Sequence, residues 1–176
     1  QPGTNAAGTM FGYASGTPIT MTTDITGIAL TAGIVGASGS DNDILFLPNG
    51  DIDMTTGPVN YAYSIPRPAI ITDVVYYFSV SGDLILIGDS VTISAQFYQS
   101  TIPNNTFSPI PGTLVNLTPT LTGVLGSGTI STGTLSGLSI PLTAQTRIVL
   151  IFFITATGVT LIQTVTGFAS AGLSLA

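Results

Sequence analysis

Cysteine, histidine, lysine, glutamate and tryptophan are all missing from this 176-residue chain, and its cationic side chains are Arg67 and Arg147 alone. Each absence removes a chemistry. Without histidine there is no Ser-His-Asp triad and no imidazole base. Without cysteine there is no thiol nucleophile, and without lysine no Schiff base or Ser-Lys dyad. Zinc sites built on imidazole or thiolate are excluded as well. Two arginines cannot lay down the cationic stripe that a nucleic-acid backbone or an anionic bilayer requires. Gly88-Asp89-Ser90 has the outline of a hydrolase nucleophile turn, but no base is there to activate the serine, and it reads as a hairpin turn. The lack of cysteine says little about compartment, because a domain of this size stands without disulfides.

Charge is scarce too. Charged residues are 6% of the chain, eight of them aspartates, and the net charge is −6. Disordered segments are charged and poor in apolar residues, whereas 44% of this chain is hydrophobic. That combination predicts one folded domain. The opening Gln1-Pro2-Gly3-Thr4 has neither the basic nor the apolar run of a signal peptide, and is expected to be a cut end of something longer. The most apolar stretch, Ile148 to Ile154, falls far short of the ~20 residues that cross a bilayer as a helix.

What is present is β-forming. Thr, Val, Ile, Gly and Ser dominate, and two-residue alternation recurs. Val59, Tyr61, Tyr63 and Ile65 alternate with polar or small residues up to Pro66-Arg67-Pro68. In Ala69 to Val80, residues Ile70, Val74, Tyr76, Phe78 and Val80 are expected to share a face. A short strand is expected at Leu84 to Ile87, and Ser90 to Gln99 points Val91, Ile93, Ala95 and Phe97 one way. Weaker strands are expected at 11–14, 18–22, 25–30, 43–47, 51–55, 112–117 and 128–140. Ile102 to Pro111, rich in proline and asparagine, reads as a loop or an edge. Many short strands with Gly, Pro, Asn and Asp turns predict an antiparallel sandwich or jelly roll.

Residues 147–154 break the alternation. Ile148, Val149, Leu150, Ile151, Phe152, Phe153 and Ile154 make both faces of a strand apolar. Two readings are open: a central strand covered on both sides by its own chain, or a strand with one face in the core and one in a subunit interface. The uncharged tail, Ala169 to Ala176, raises the same question, and packing against neighbouring subunits would account for it. Paired carboxylates are the catalytic device left, since glycoside hydrolysis needs two. Asp41 with Asp43 and Asp51 with Asp53 are the candidates, and they equally offer calcium the carboxylate oxygens it takes. A solvated turn explains the same residues without a metal, and no cofactor is expected. Asn104-Asn105-Thr106 and Asn116-Leu117-Thr118 fit the N-glycosylation acceptor pattern.

Four stretches carry a family resemblance: Ala14 to Thr20 (ASGTPIT), Thr101 to Gly112 (TIPNNTFSPIPG), Thr143 to Gly158 (TAQTRIVLIFFITATG) and Val165 to Ala176 (VTGFASAGLSLA). Together they resemble the C-terminal domain of BclB-type collagen-like exosporium glycoproteins of Bacillus-group spore formers. The resemblance implies that residues 1–8 are the end of a stalk or linker and that 9–176 are a single head domain. It implies an all-β antiparallel jelly-roll sandwich like the tumour-necrosis-factor and C1q heads, assembled as a homotrimer on the collagen-like stalk of the same chain. Its role would be structural, setting chain register at the tip of an extracellular fibre on the spore surface, the exosporium. Ile148, Leu150, Phe152 and Ile154, or the opposite-facing Val149, Ile151 and Phe153, are the interface candidates. No catalytic residues come with the family, and an enzyme is not expected. The alternative is an adhesin or lectin module that binds a surface glycan, a host surface or other spore-surface proteins, with Tyr13, Tyr61, Tyr63, Tyr76, Tyr77 and Tyr98 available to stack on sugars.

Overall fold

A computed structural model describes residues 8–37, 39–57 and 60–176. Among these residues every regular element is a strand. In chain order they are β1 (Thr9–Ala14), β2 (Ile19–Thr23), β3 (Ala29–Val35), β4 (Ser40–Leu45), β5 (Ile52–Asp53), β6 (Tyr63–Ser64), β7 (Ala69–Val80) and β8 (Leu84–Ser100). They continue as β9 (Thr106–Pro109), β10 (Val115–Asn116), β11 (Leu121–Leu125), β12 (Ile130–Leu135), β13 (Ile140–Leu142), β14 (Arg147–Gly158) and β15 (Thr164–Leu175).

All pairings are antiparallel. One four-stranded layer runs β1-β15-β7-β12, with β13 continuing the β12 position along β7. The other runs β3-β14-β8-β11, with β10 beside β11 on β8. Strand β2 bridges the two layers, pairing with both β15 and β3. Counting these positions along the chain, the layers hold strands 1-8-3-6 and 2-7-4-5, the double Greek key of a jelly roll. The longest ladder joins β14 to β8, from Arg147↔Ser100 to Gly158↔Asp89.

The core between the layers follows the alternation. Val74, Tyr76, Phe78 and Val80 of β7 meet Val91, Ile93, Ala95 and Phe97 of β8 and Ile148, Leu150, Phe152 and Ile154 of β14. Tyr76 reconciles its hydroxyl with burial by donating to the Thr113 carbonyl at 2.8 Å. The tail alternates in the same way: Ala169, Ala171, Leu173 and Leu175 face this core, and β15 sits between β1 and β7. One face of the tail therefore packs within its own chain, and the alternate residues, Phe168 among them, face outward.

Several strand expectations need correction. At the start of β7, a register shift beside Ser174/Leu175 turns Ile71 into the core and leaves Ile70 exposed. Residues 25–28 are a turn, not a strand, because the Asp24 carboxylate accepts from the backbone amides of Thr26 and Ile28. Gly88-Asp89-Ser90 is no hairpin turn. Strand β8 continues through it as a bulge, with Gly88 at φ 84°, where glycine carries no Cβ penalty, and residues 87–89 unmatched between the partners of Thr122 and Gly123 on β11. Strand β11 itself escapes the sequence reading, since Gly123 interrupts its short alternation. Of the strand expected over 59–65, β6 is what forms among the described residues, and Val59 lies outside them.

Because Phe152 is fully buried and touches the rings of Tyr76 and Phe78, Phe152→Ala should cost about 3–5 kcal/mol, read as a lowered midpoint in urea unfolding. Ile151→Asp should unfold the chain outright, read by far-UV circular dichroism.

Candidate functional site

Strand β14 was the candidate interface, and the structure covers both of its faces with the chain itself. Ile148, Leu150, Phe152 and Ile154 lie in the core between the layers. Val149 and Ile151 lie in a second apolar cluster on the outside of the β3-β14-β8 layer, with Ala32, Ile34, Ile44, Ile52, Met54, Tyr98 and Phe107; Phe153 packs on its margin and stays half-buried. The cover is the excursion through β4 and β5 together with β9. Six of the seven side chains thus present no surface to a second subunit. The correction has a simple cause: a strand apolar on both faces needs two covers, and a 176-residue chain is long enough to supply both.

Arg147 holds that cover down. Its Nη1 donates to the Asn104 carbonyl at 2.8 Å and to Asn105 Oδ1 at 3.2 Å, and its Nη2 donates to Asn60 Oδ1 at 3.0 Å. Its guanidinium also sits 5.4 Å from the centre of the Phe107 ring, within cation–π range. Asn104 Oδ1 in turn accepts from Ser100 Oγ and from the Thr106 amide. The Thr101 to Gly112 stretch is therefore a latch over the second cluster, with Phe107 as its buried anchor.

The aspartates do not converge. Asp41 accepts from the Asn42 amide, Asp51 from Asn49 Nδ2, and Asp53 from the amide and hydroxyl of Thr55. Asp51 and Asp53 shape local turns, whereas Asp41 and Asp43 lie on β4. Among the described residues no three acidic side chains come together as a metal-ligating group. Asp89 is the buried one. Its Oδ1 accepts from the amides of Val159 and Thr160, and its Oδ2 from Gln163 Nε2, which pins the β14–β15 loop.

Two surfaces remain for function. The first is the outer face of the β1-β15-β7-β12 layer. Cross-strand register puts Gly12, Gly172, Val75 and Thr134 in one row, and Ala14, Ser170, Tyr77 and Thr132 in the next. Phe168, Val75, Tyr77 and Ile130 are 36–47% exposed, and Met10 is 81% exposed. Asp73 is the single charged side chain on these strands that shares the face. The second is a cleft of about 350 Å³ at the open edge of the sandwich, between β1 and β6, walled by Phe11, Tyr13, Tyr63, Pro66, Arg67 and Ile148. Of the tyrosines considered for sugar stacking, Tyr13 and Tyr63 meet here, edge to face at 6.0 Å. Tyr76 and Tyr98 are core residues, Tyr61 packs beside the second cluster, and Tyr77 lies on the outer face. No helix among the described residues is long and apolar enough to cross a membrane.

No family model matches the chain. It is 30% identical over 187 residues to Collagen-like protein 1 of Acanthamoeba polyphaga mimivirus, a match covering 99% of this chain and 19% of that protein. The chain thus spans about a fifth of the length of that relative, and is similar along nearly its whole length to one segment of a collagen-like protein. Among solved structures, the Eiger TNF from S. frugiperda aligns over 97% of this chain and 94% of its own at 8% identity, with a TM-score of 0.35.

Burial sets the pH response. It pushes the Tyr98 phenol up to about 12, with the Asp51 charge adding to the effect. It drives Tyr13 and Tyr76 further in the same direction. The folded values lie above the ordinary tyrosine value of about 10, so the stability these groups contribute is complete below that pH and is lost as pH rises through the folded values. Asp24 and Asp53 are lowered by hydrogen bonds from their threonine neighbours, so their contribution is lost only as pH falls below the ordinary carboxylate range. With no histidine or cysteine in the chain, the melting temperature should be flat from about pH 5 to pH 9 and fall above about pH 10. Calorimetric scans across that range, paired with absorbance at the tyrosinate band, test it.

Proposed function

We propose that this domain is a structural trimerisation head of a collagen-like fibre protein, joining three copies through the outer face of the β1-β15-β7-β12 layer. The carrying observation is that face itself. It has glycine, alanine and serine at its centre, apolar side chains around them, and one carboxylate at its margin. Small central residues let a partner backbone approach closely, and the surrounding Met10, Val75, Tyr77, Phe168 and Ile130 supply apolar area that favours burial. Similarity to a segment of a collagen-like protein supports the same reading.

The mechanism follows from the needs of a triple helix. Three chains must meet in register before Gly-X-Y segments can wind. A head that trimerises raises the local concentration of the stalks and fixes their alignment. The extracellular, spore-surface position rests on the resemblance to BclB-type heads.

Light scattering coupled to size exclusion, over a dilution series, should give the mass of three chains. Val75→Asp and Tyr77→Asp should convert it to monomer, because an unpaired buried charge costs several kcal/mol at each symmetric copy. Both positions are exposed in the single chain, so both variants should keep the wild-type circular dichroism spectrum. A wild-type monomer, or variants that remain fully trimeric, would refute this face as the interface.

A further inference from the structure

The cleft at the sandwich edge is a gap in the core rather than a surface dimple. Thr9, Phe11 and Tyr13 of β1 pair with Leu175, Leu173 and Ala171, the core-facing set of β15, so their side chains point between the layers. On the far side, β6 pairs with the start of β14 and presents Tyr63. The layers gape where β1 and β6 fail to meet. Tyr13 is 3% exposed and lines the gap, and its hydroxyl makes no hydrogen bond to a described residue. A phenol in that position has polar capacity left for a ligand.

The rim completes a pattern. Thr9 and Ser64 add hydroxyls, Arg67 adds a guanidinium, and no aspartate lines the cleft. Arg147 is committed to the latch, so Arg67 is the cation this chain has left for a ligand. A guanidinium binds a carboxylate bidentately, and the aromatic walls offer flat apolar surface with a polar edge. A flat aromatic acid would fill the walls and engage the guanidinium but leave the buried Tyr13 hydroxyl without a partner. A sugar ring carrying a carboxylate satisfies walls, hydroxyls and guanidinium together.

We propose that this cleft binds one carboxylate-bearing sugar residue, of the uronic-acid class, with Arg67 on the carboxylate, Tyr13 and Tyr63 on the ring, and Ser64 and Thr9 on its hydroxyls. The inference stands apart from the assembly reading, since the cleft opens at the sheet edge and not on the outer face. It gives the head a recognition role beyond setting register.

Calorimetric titration of the intact chain with methyl glucuronide, methyl glucoside and benzoate tests it. Saturable glucuronide binding is expected, weakened about tenfold or more by Arg67→Gln, the loss of roughly 1.4 kcal/mol. Tyr13→Phe, which keeps the ring and removes the hydroxyl, should weaken it several-fold, and the glucoside should bind as weakly as the glucuronide does to Arg67→Gln. No saturable glucuronide binding up to about 10 mM, binding unchanged in Arg67→Gln, or tighter binding of benzoate than of glucuronide would each overturn the proposal. The Val75→Asp variant should bind glucuronide as wild type does, so loss of the trimer and loss of the site are read separately.

Discussion

The burial of β14 on both faces is the constraint on which the rest of the molecule depends. Its inner side chains, Leu150 and Phe152, need the opposite layer, and its outer side chains, Val149 and Ile151, need a cover of their own. An ordinary two-layer sandwich leaves the outer face to water. Here the chain meanders out through β4 and β5 and returns with β9 to supply a partial third layer. That detour explains why so long a stretch between β3 and β7 holds little regular structure yet contains buried anchors at Ile44, Ile52 and Met54. It also explains what the two arginines do differently: Arg147 locks the detour shut, and Arg67 stands free of that task.

Much of the fold was legible because alternation reports burial directly. The inward set Val91, Ile93, Ala95 and Phe97 was correctly read, and so were the bounds of β7. Misreadings arose where local chemistry interrupts the period. The Asp24 turn converts an apolar pair, Ile25 and Ile28, into loop residues, and the bulge in β7 exchanges Ile70 for Ile71. A two-residue period cannot announce a bulge, since an extra residue shifts the face without changing composition. The double-sided burial of β14 was legible as well, but who covers it was not. Composition cannot distinguish a cover drawn from the same chain from one supplied by a neighbour.

The two surfaces were hidden for a different reason. Val75, Tyr77 and Phe168 look like ordinary off-phase residues in their strands, and only the cross-strand register aligns them with Gly12 and Gly172 into one face whose single charge is Asp73. The cleft unites residues 9–13, 63–67 and 148, which no local pattern links. Tyr13 and Tyr63 stood among the tyrosines considered for sugars, but nothing in the sequence separates them from Tyr76, whose hydroxyl the structure gives to Thr113. The TIPNNTF stretch carried a resemblance whose physical content appears only in three dimensions. Asn104 shapes its own loop, Asn105 and the Asn104 carbonyl hold Arg147, and Phe107 fills the cluster beneath.

A chain this poor in charge must keep its exposed strands soluble by other means. On part of its surface it uses hydroxyls: Thr20 pairs with Thr166 at 3.0 Å and Thr22 with Thr31 at 2.7 Å across strands. Such pairs hydrate well and are indifferent to pH and salt, in contrast to surface ion pairs. On the outer face of the β1-β15-β7-β12 layer, Val75, Tyr77, Phe168, Ile130 and Met10 stand among the hydroxyls of Thr132, Thr134 and Ser170. Met10 and Gly12 belong to β1, so in the proposed trimer the first strand of each head lies on the shared face. The exposed apolar set and the position of β1 thus meet on one surface.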